Sequence, residues 1–124
     1  MRLLLDTHVV LWWRQDSRRL ERAVRGAIAG AAVVYVSAAS AWEVAIKSAI
    51  GRLRLDDPFD IHVQAAGFEP LPITFAHAAE VARLPPHHAD PFDRMLIAQA
   101  RLERLALVTH DRNFLAYDVR TITV

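Results

Sequence analysis

Two hydrophobic periods alternate along this chain. Short unbroken apolar runs read as strands covered on both faces, and stretches with apolar residues every three or four positions read as helices. Leu3-Leu4-Leu5 closes a first strand at 2–5, and Val33-Val34-Tyr35-Val36 forms a second. Leu105 to Thr109 is equally apolar, and 119–124 ends the chain as a further strand. Glu69 to Ile73 carries Pro70 and Pro72, so it fits only an edge strand or an extended piece. Helices are expected at 8–14 and 19–29, split by Gln15-Asp16-Ser17, with Gly30 as C-cap of the second. Ser37-Ala38-Ala39-Ser40 leads into another that runs to about Ile50 and stops at Gly51. More helices are expected at 59–66, 75–83, 91–104 and 112–116, while Pro85-Pro86 and His87-His88 mark 84–90 as a loop. Helices alternating with buried strands predict a single α/β domain over 1–124, with a mainly parallel sheet between helices.

Acidic residues recur where these strands hand over to helices. Asp6 follows the first strand, and in an open α/β sheet ligands bind at such junctions. Glu43, Asp93 and Asp111 stand at similar places. Each has a purely structural alternative. Asp6 and Asp111 are good N-caps for the helices after them. Ser40-Ala41-Trp42-Glu43 fits a capping box, and Glu43 also precedes Lys47 by four residues, the favourable order for a helix ion pair. Asp90 followed by Pro91 matches a cap with proline at the first helical position, which leaves Asp93 spare. Asp93 shares a helix face with Ile97 and Ala100, so its carboxylate needs a cation or a raised pKa. Carboxylates gathered on one sheet edge repel each other unless something positive sits among them. An all-oxygen set selects a hard divalent cation, Mg2+ or Mn2+. Helix N-termini beside such an ion suit a phosphate group, which points to phosphoester chemistry.

Composition narrows the field further. The chain has 124 residues, 53% of them hydrophobic, which supports a real core and excludes a disordered chain. It has no cysteine, so disulfides and thiolate metal sites are impossible. No apolar stretch approaches the roughly 18 residues a membrane helix needs. Asp6 and His8 interrupt the first apolar run too early for a signal peptide, and a cytoplasmic location is expected. Net charge is +1, but 14 of the 15 basic residues are Arg, and Arg14, Arg18, Arg19, Arg22 and Arg25 crowd one stretch. That pattern permits nucleic-acid binding without requiring it. The histidines lack zinc-site spacing and read as structural or peripheral. No glycine-rich phosphate loop and no G-x-S-x-G elbow occurs.

Leu3-Leu4-Leu5-Asp6-Thr7-His8 resembles the opening of PIN domains. The segment from Ser37 through Glu43 to Lys47 resembles their second motif, Asp90-Pro91-Phe92-Asp93 on to Ala100 their third, and Leu107 to Asp111 their fourth. The resemblance covers nearly the whole chain and is nearest to the small VapC-type toxins of prokaryotic toxin–antitoxin pairs. It implies a three-layer α/β/α sandwich and a Mg2+- or Mn2+-dependent ribonuclease. Matched motif by motif, Asp6, Glu43, Asp93 and Asp111 are the acids of that site. Asp6, Asp93 and Asp111 are then the metal ligands, and Glu43 is a further ligand or a group that orients water. Thr109 and Asp90 are supporting residues. An RNA substrate, a cognate antitoxin beside the site and a homodimer are also implied. Trp12 and Trp13 are expected in the core, with a partner surface as their other reading.

Other readings fare worse or stay open. A haloacid-dehalogenase-type phosphatase needs a second Asp two residues after the first, where this chain has His8. A receiver domain needs a Lys after a late strand, and the one lysine, Lys47, lies in a helix. Another metal-dependent phosphoesterase remains an alternative, as does a non-catalytic interaction module of the same fold whose acids are only caps.

Overall fold

The computed structural model describes residues 1–124. Its strands are β1 (Arg2–Leu5), β2 (Val33–Ser37), β3 (Glu69–Leu71), β4 (Ala106–Thr109) and β5 (Thr121–Thr123). They form one sheet in the order β3-β2-β1-β4-β5, and every pairing is parallel. The helices are α1 (Thr7–Gln15), α2 (Arg22–Ala29), α3 (Ala38–Ala49), α4 (Phe59–Ala65), α5 (Phe75–Arg83) and α6 (Pro91–Glu103), and a 3-10 helix spans Arg112–Ala116. No helix is long and apolar enough to cross a membrane.

The unbroken run Leu3-Leu4-Leu5 follows from the layering. All three side chains have no exposed surface. Leu3 and Leu5 face one core with Val9, Val10, Val24, Ile28 and Val63 from α1, α2 and α4. Leu4 faces the other, with Leu96, Ile97 and Ala100 from α6 and with Phe114. A strand with helices on both sides has no solvent face, so alternation disappears and each leucine contributes about 1.5–3 kcal/mol by burial. β3 is an edge strand, as its prolines demand, with Pro70 in register with Val36.

Helix ends depart slightly from expectation, for local reasons. α1 stops because Asp16 takes a left-handed conformation, φ 53°, which Asp tolerates. α2 begins at Arg22 rather than 19, since Leu20 is buried within the intervening turn, where its N–H donates to the Ser17 carbonyl. Trp12 is buried in the first core, and Trp13 packs against the same core with its ring tilted on Phe68 at 5.7 Å. Core packing is therefore the role of both tryptophans.

The chain lays down β1, β2 and β3 in one direction, then crosses back over β1 to place β4 on its other side. The strand order reverses between β1 and β4. In a doubly wound sheet a crevice opens there, at the carboxyl ends of the two strands.

Gln99 on α6 ties that region together. It is fully buried; its Oε1 accepts from Ser37 Oγ at the end of β2, and its Nε2 donates to the Pro72 carbonyl at 3.3 Å. Replacing it strands both partners in a dry environment and opens a cavity. Gln99→Ala is expected to destabilise the fold by about 2–4 kcal/mol in urea titrations followed by far-UV circular dichroism. A loss within about 0.5 kcal/mol would show that the network is dispensable.

Candidate active site

Asp6 follows β1 at the crevice and is 4% exposed. It holds the N-cap position of α1, yet its side chain makes no capping bond. Instead Asp6 Oδ2 accepts from Thr109 Oγ1 at 2.8 Å, across from the end of β1 to the end of β4. The same Thr109 hydroxyl accepts from the Asp111 backbone N–H at 3.0 Å. One threonine thus sets two of the acids relative to each other. Burial pushes the Asp6 carboxyl above its ordinary range, and the Thr109 hydrogen bond and the nearby His8 only partly offset this.

Asp90 caps α6 as expected, with Oδ1 accepting from Phe92 N at 2.8 Å and Asp93 N at 3.1 Å. Asp93, freed from capping, enters the crevice from the first turn of α6. Burial raises its carboxyl pKa from 3.8 to about 8, with the charges of Asp6, Asp90, Glu43 and Asp111 adding to the shift. Asp6, Glu43 and Asp111 thus lie within electrostatic reach of Asp93. Of the four, only Asp93 and Asp111 bring ligand-type atoms within 4.8 Å of one another in a group of three, with His88 as the third. Asp111 plays two parts: Oδ1 accepts from Asn113 N at 2.9 Å and caps the 3-10 helix, while Oδ2 faces the crevice.

Glu43 is buried on α3 and reaches toward the end of β1. Thr7 Oγ1 donates to Glu43 Oε1 at 2.8 Å, and Lys47 Nζ lies 2.8 Å from Oε2. The ion pair is the one its spacing implies. The capping box is not: the N-cap of α3 is Ser37, which accepts from Ala39 N, and Ser40 lies inside the helix. The strand runs to Ser37 before turning, so the helix begins three residues earlier than the S-x-x-E pattern implies. Ser40 Oγ contacts Thr7 Oγ1 at 2.8 Å instead.

His88 joins the acids although its sequence context marks it as peripheral. Its Nε2 lies 2.9 Å from Asp93 Oδ2 and 3.3 Å from Asp111 Oδ2. One ligand-type atom from each of His88, Asp93 and Asp111 falls within 4.8 Å of the others. The usable signal was position alone, two residues before the cap of α6, and residue type alone does not convey it. The oxygen-rich donor set and the excess of negative charge at Asp93 fit a hard divalent cation.

The chain belongs to the PIN domain family, which matches residues 3–120. It is 34% identical to Ribonuclease VapC22 of Mycobacterium tuberculosis over 131 aligned positions, covering 98% of this chain and 97% of the relative. Among solved structures, VapBC2 from Rickettsia felis, bound to a DNA fragment from its promoter, superposes with a TM-score of 0.75 at 11% identity, covering 99% of this chain and 98% of that one. VapBC-5 from Mycobacterium tuberculosis gives 0.66 at 22% identity, covering 99% and 98%. At those identities the solved structures share the fold.

The Asp93 carboxyl sets a pH dependence in metal-free buffer. The folded state keeps this proton up to about pH 8, whereas the unfolded chain releases it near 3.8. Between those values the folded state binds more protons, so stability falls as pH rises and levels off above about 8. Asp93→Asn should flatten that slope and stabilise the protein at pH 7 in EDTA by roughly 1–3 kcal/mol. Thermal melts from pH 4 to 9 test this, and parallel curves for both proteins would contradict it.

Proposed function

We propose that this protein is a metal-dependent endoribonuclease, the toxin of a toxin–antitoxin pair. The observation that carries the reading is the meeting of Asp93 and Asp111 at the β1–β4 crevice, backed by Asp6 and Glu43, in a PIN domain. The 34%-identical relative named a ribonuclease supports RNA as substrate. Mg2+ is the expected ion, with Mn2+ as the other hard cation that suits carboxylate oxygens. Asp6, Asp93 and Asp111 are its holders, with Glu43 as a further ligand or a group that orients water. A bound ion of this kind makes a nearby water more acidic and neutralises charge developing on the phosphodiester oxygens.

The remaining work belongs to the chain itself. Thr109 keeps Asp6 turned inward rather than capping α1. Thr7 and Lys47 hold both oxygens of Glu43, so this carboxylate enters the site already ordered. Asp90 occupies the first N–H groups of α6 and leaves Asp93 to the crevice.

The reading also brings an antitoxin and a second copy of the chain as partners, and a cytoplasmic location with the RNA. Trp42 and Ile46 on α3, Ile50 at its C-cap and Phe75, with 97% of its surface open, are exposed apolar side chains that offer surface for protein association.

Asp6→Asn and Asp93→Asn are each expected to lower Mg2+-supported RNA cleavage by about a hundredfold or more, with EDTA abolishing the wild-type activity. Undiminished cleavage by both variants would remove these acids from the chemistry.

A further inference from the structure

One member of the carboxylate cluster is not an acid. His88 sits on the 84–90 loop with its ring edge against Asp93 and Asp111. The contact to Asp111 has hydrogen-bond geometry, while Asp93 Oδ2 lies closer, at 2.9 Å, without it. Asp93 belongs to the first turn of α6 and Asp111 follows β4, so the two acids ride on different elements. His88 touches both.

The other face of the ring decides which role it plays. Nδ1 accepts from the Asp90 backbone N–H at 3.3 Å. An accepting Nδ1 keeps its lone pair, so the proton resides on Nε2 and is directed at Asp111. A metal-ligating histidine shows the reverse arrangement: it donates its outer N–H to a carboxylate or carbonyl. His88 is thus wired as a donor to Asp111 and not as a ligand.

The loop is also clamped. Tyr117 Oη accepts from His88 N at 2.8 Å and donates to the Pro85 carbonyl at 2.9 Å. Arg94 Nη1 donates to the Pro85 carbonyl at 3.0 Å and lies 3.4 Å from the His88 carbonyl. The Phe114 ring stands 5.8 Å from the imidazole.

We propose that His88 is a positioning residue, whose Nε2–H donates to Asp111 and so sets that acid beside Asp93 at the spacing at which both serve one divalent cation. The inference rests on the metal-site reading above. Carboxylates anchored by outer hydrogen bonds bind metal about 10- to 100-fold more tightly than unanchored ones.

The test is Mn2+ titration of the full chain, followed by calorimetry and by electron spin echo of the bound ion. It compares wild type, His88→Ala, His88→Gln and Asp93→Asn. Glutamine places an amide N–H the same number of bonds from Cα as Nε2. His88→Ala is expected to weaken Mn2+ binding about tenfold or more, and His88→Gln to recover most of it. The wild-type echo should carry no modulation from a directly bound imidazole nitrogen. In RNA cleavage the alanine variant should lose kcat with little change in KM. Wild-type Mn2+ affinity in His88→Ala, with binding lost in Asp93→Asn, would remove His88 alone. A coordinated imidazole nitrogen that vanishes in His88→Gln would make it a ligand and overturn the positioning role. Unchanged binding in Asp93→Asn would take down the metal reading and this proposal together.

Discussion

Everything at the working edge of this protein follows from like charges held together where β1 and β4 part. Carboxylates in a partly dry crevice repel each other and lose hydration. The fold answers acid by acid. Asp6 has the Thr109 hydroxyl, Glu43 has Thr7 and Lys47, and Asp111 has the Asn113 N–H and the His88 ring. Asp93 is the exception: its Oδ2 lies 2.9 Å from His88 Nε2 without hydrogen-bond geometry, and no donor is aimed at it. Burial, with the charges of the neighbouring acids added, raises its pKa to about 8, and no donor offsets this. Burial raises Asp6 as well, but there the Thr109 hydroxyl opposes it. The pocket is thus left with one carboxyl less compensated than the rest.

Much of the fold can be read from the chain because the layers impose unambiguous periods. A run such as Leu3-Leu4-Leu5 makes sense only under two covered faces, and the prolines of 69–73 make sense only at an edge. The acids are only partly legible in this way. Asp6 and Asp111 stand where a strand gives way to a helix, whereas Glu43 lies in the second turn of α3 and Asp93 in the first turn of a helix that follows α5 and a loop, not a strand. Asp90-Pro91 was the clearest local clue, since the cap it forms leaves Asp93 without a structural duty.

What escaped the sequence depends on distant partners. Glu43 reads locally as half of a capping box, but its partner Thr7 lies 36 positions away, and the true cap of α3 is Ser37. His88 reads as a loop residue because Asp111, 23 positions on, is brought beside it only by the sheet. The arginine-rich stretch also changes character in three dimensions. Arg25 donates to the carbonyls of Trp12 and Ser17 and stacks over Trp13 at 5.4 Å, while Arg14 pairs with Asp57 at 3.3 Å. Those two arginines tie α1 to its surroundings, while Arg18, Arg19 and Arg22 stay exposed.

The same logic explains why the site and the fold cannot be separated. Thr109 is 1% exposed and belongs to β4 by its backbone, yet its hydroxyl donates a hydrogen bond to Asp6 and accepts one from the Asp111 N–H. A change in the β1–β4 register by one residue would turn Thr109 to the opposite face and release both acids at once. That register is held in turn by Leu4 opposite Leu107 and Leu5 opposite Val108, residues with no chemistry of their own. The core therefore specifies the spacing of the carboxylates, because packing admits one register and that register admits one arrangement of the donors that hold them.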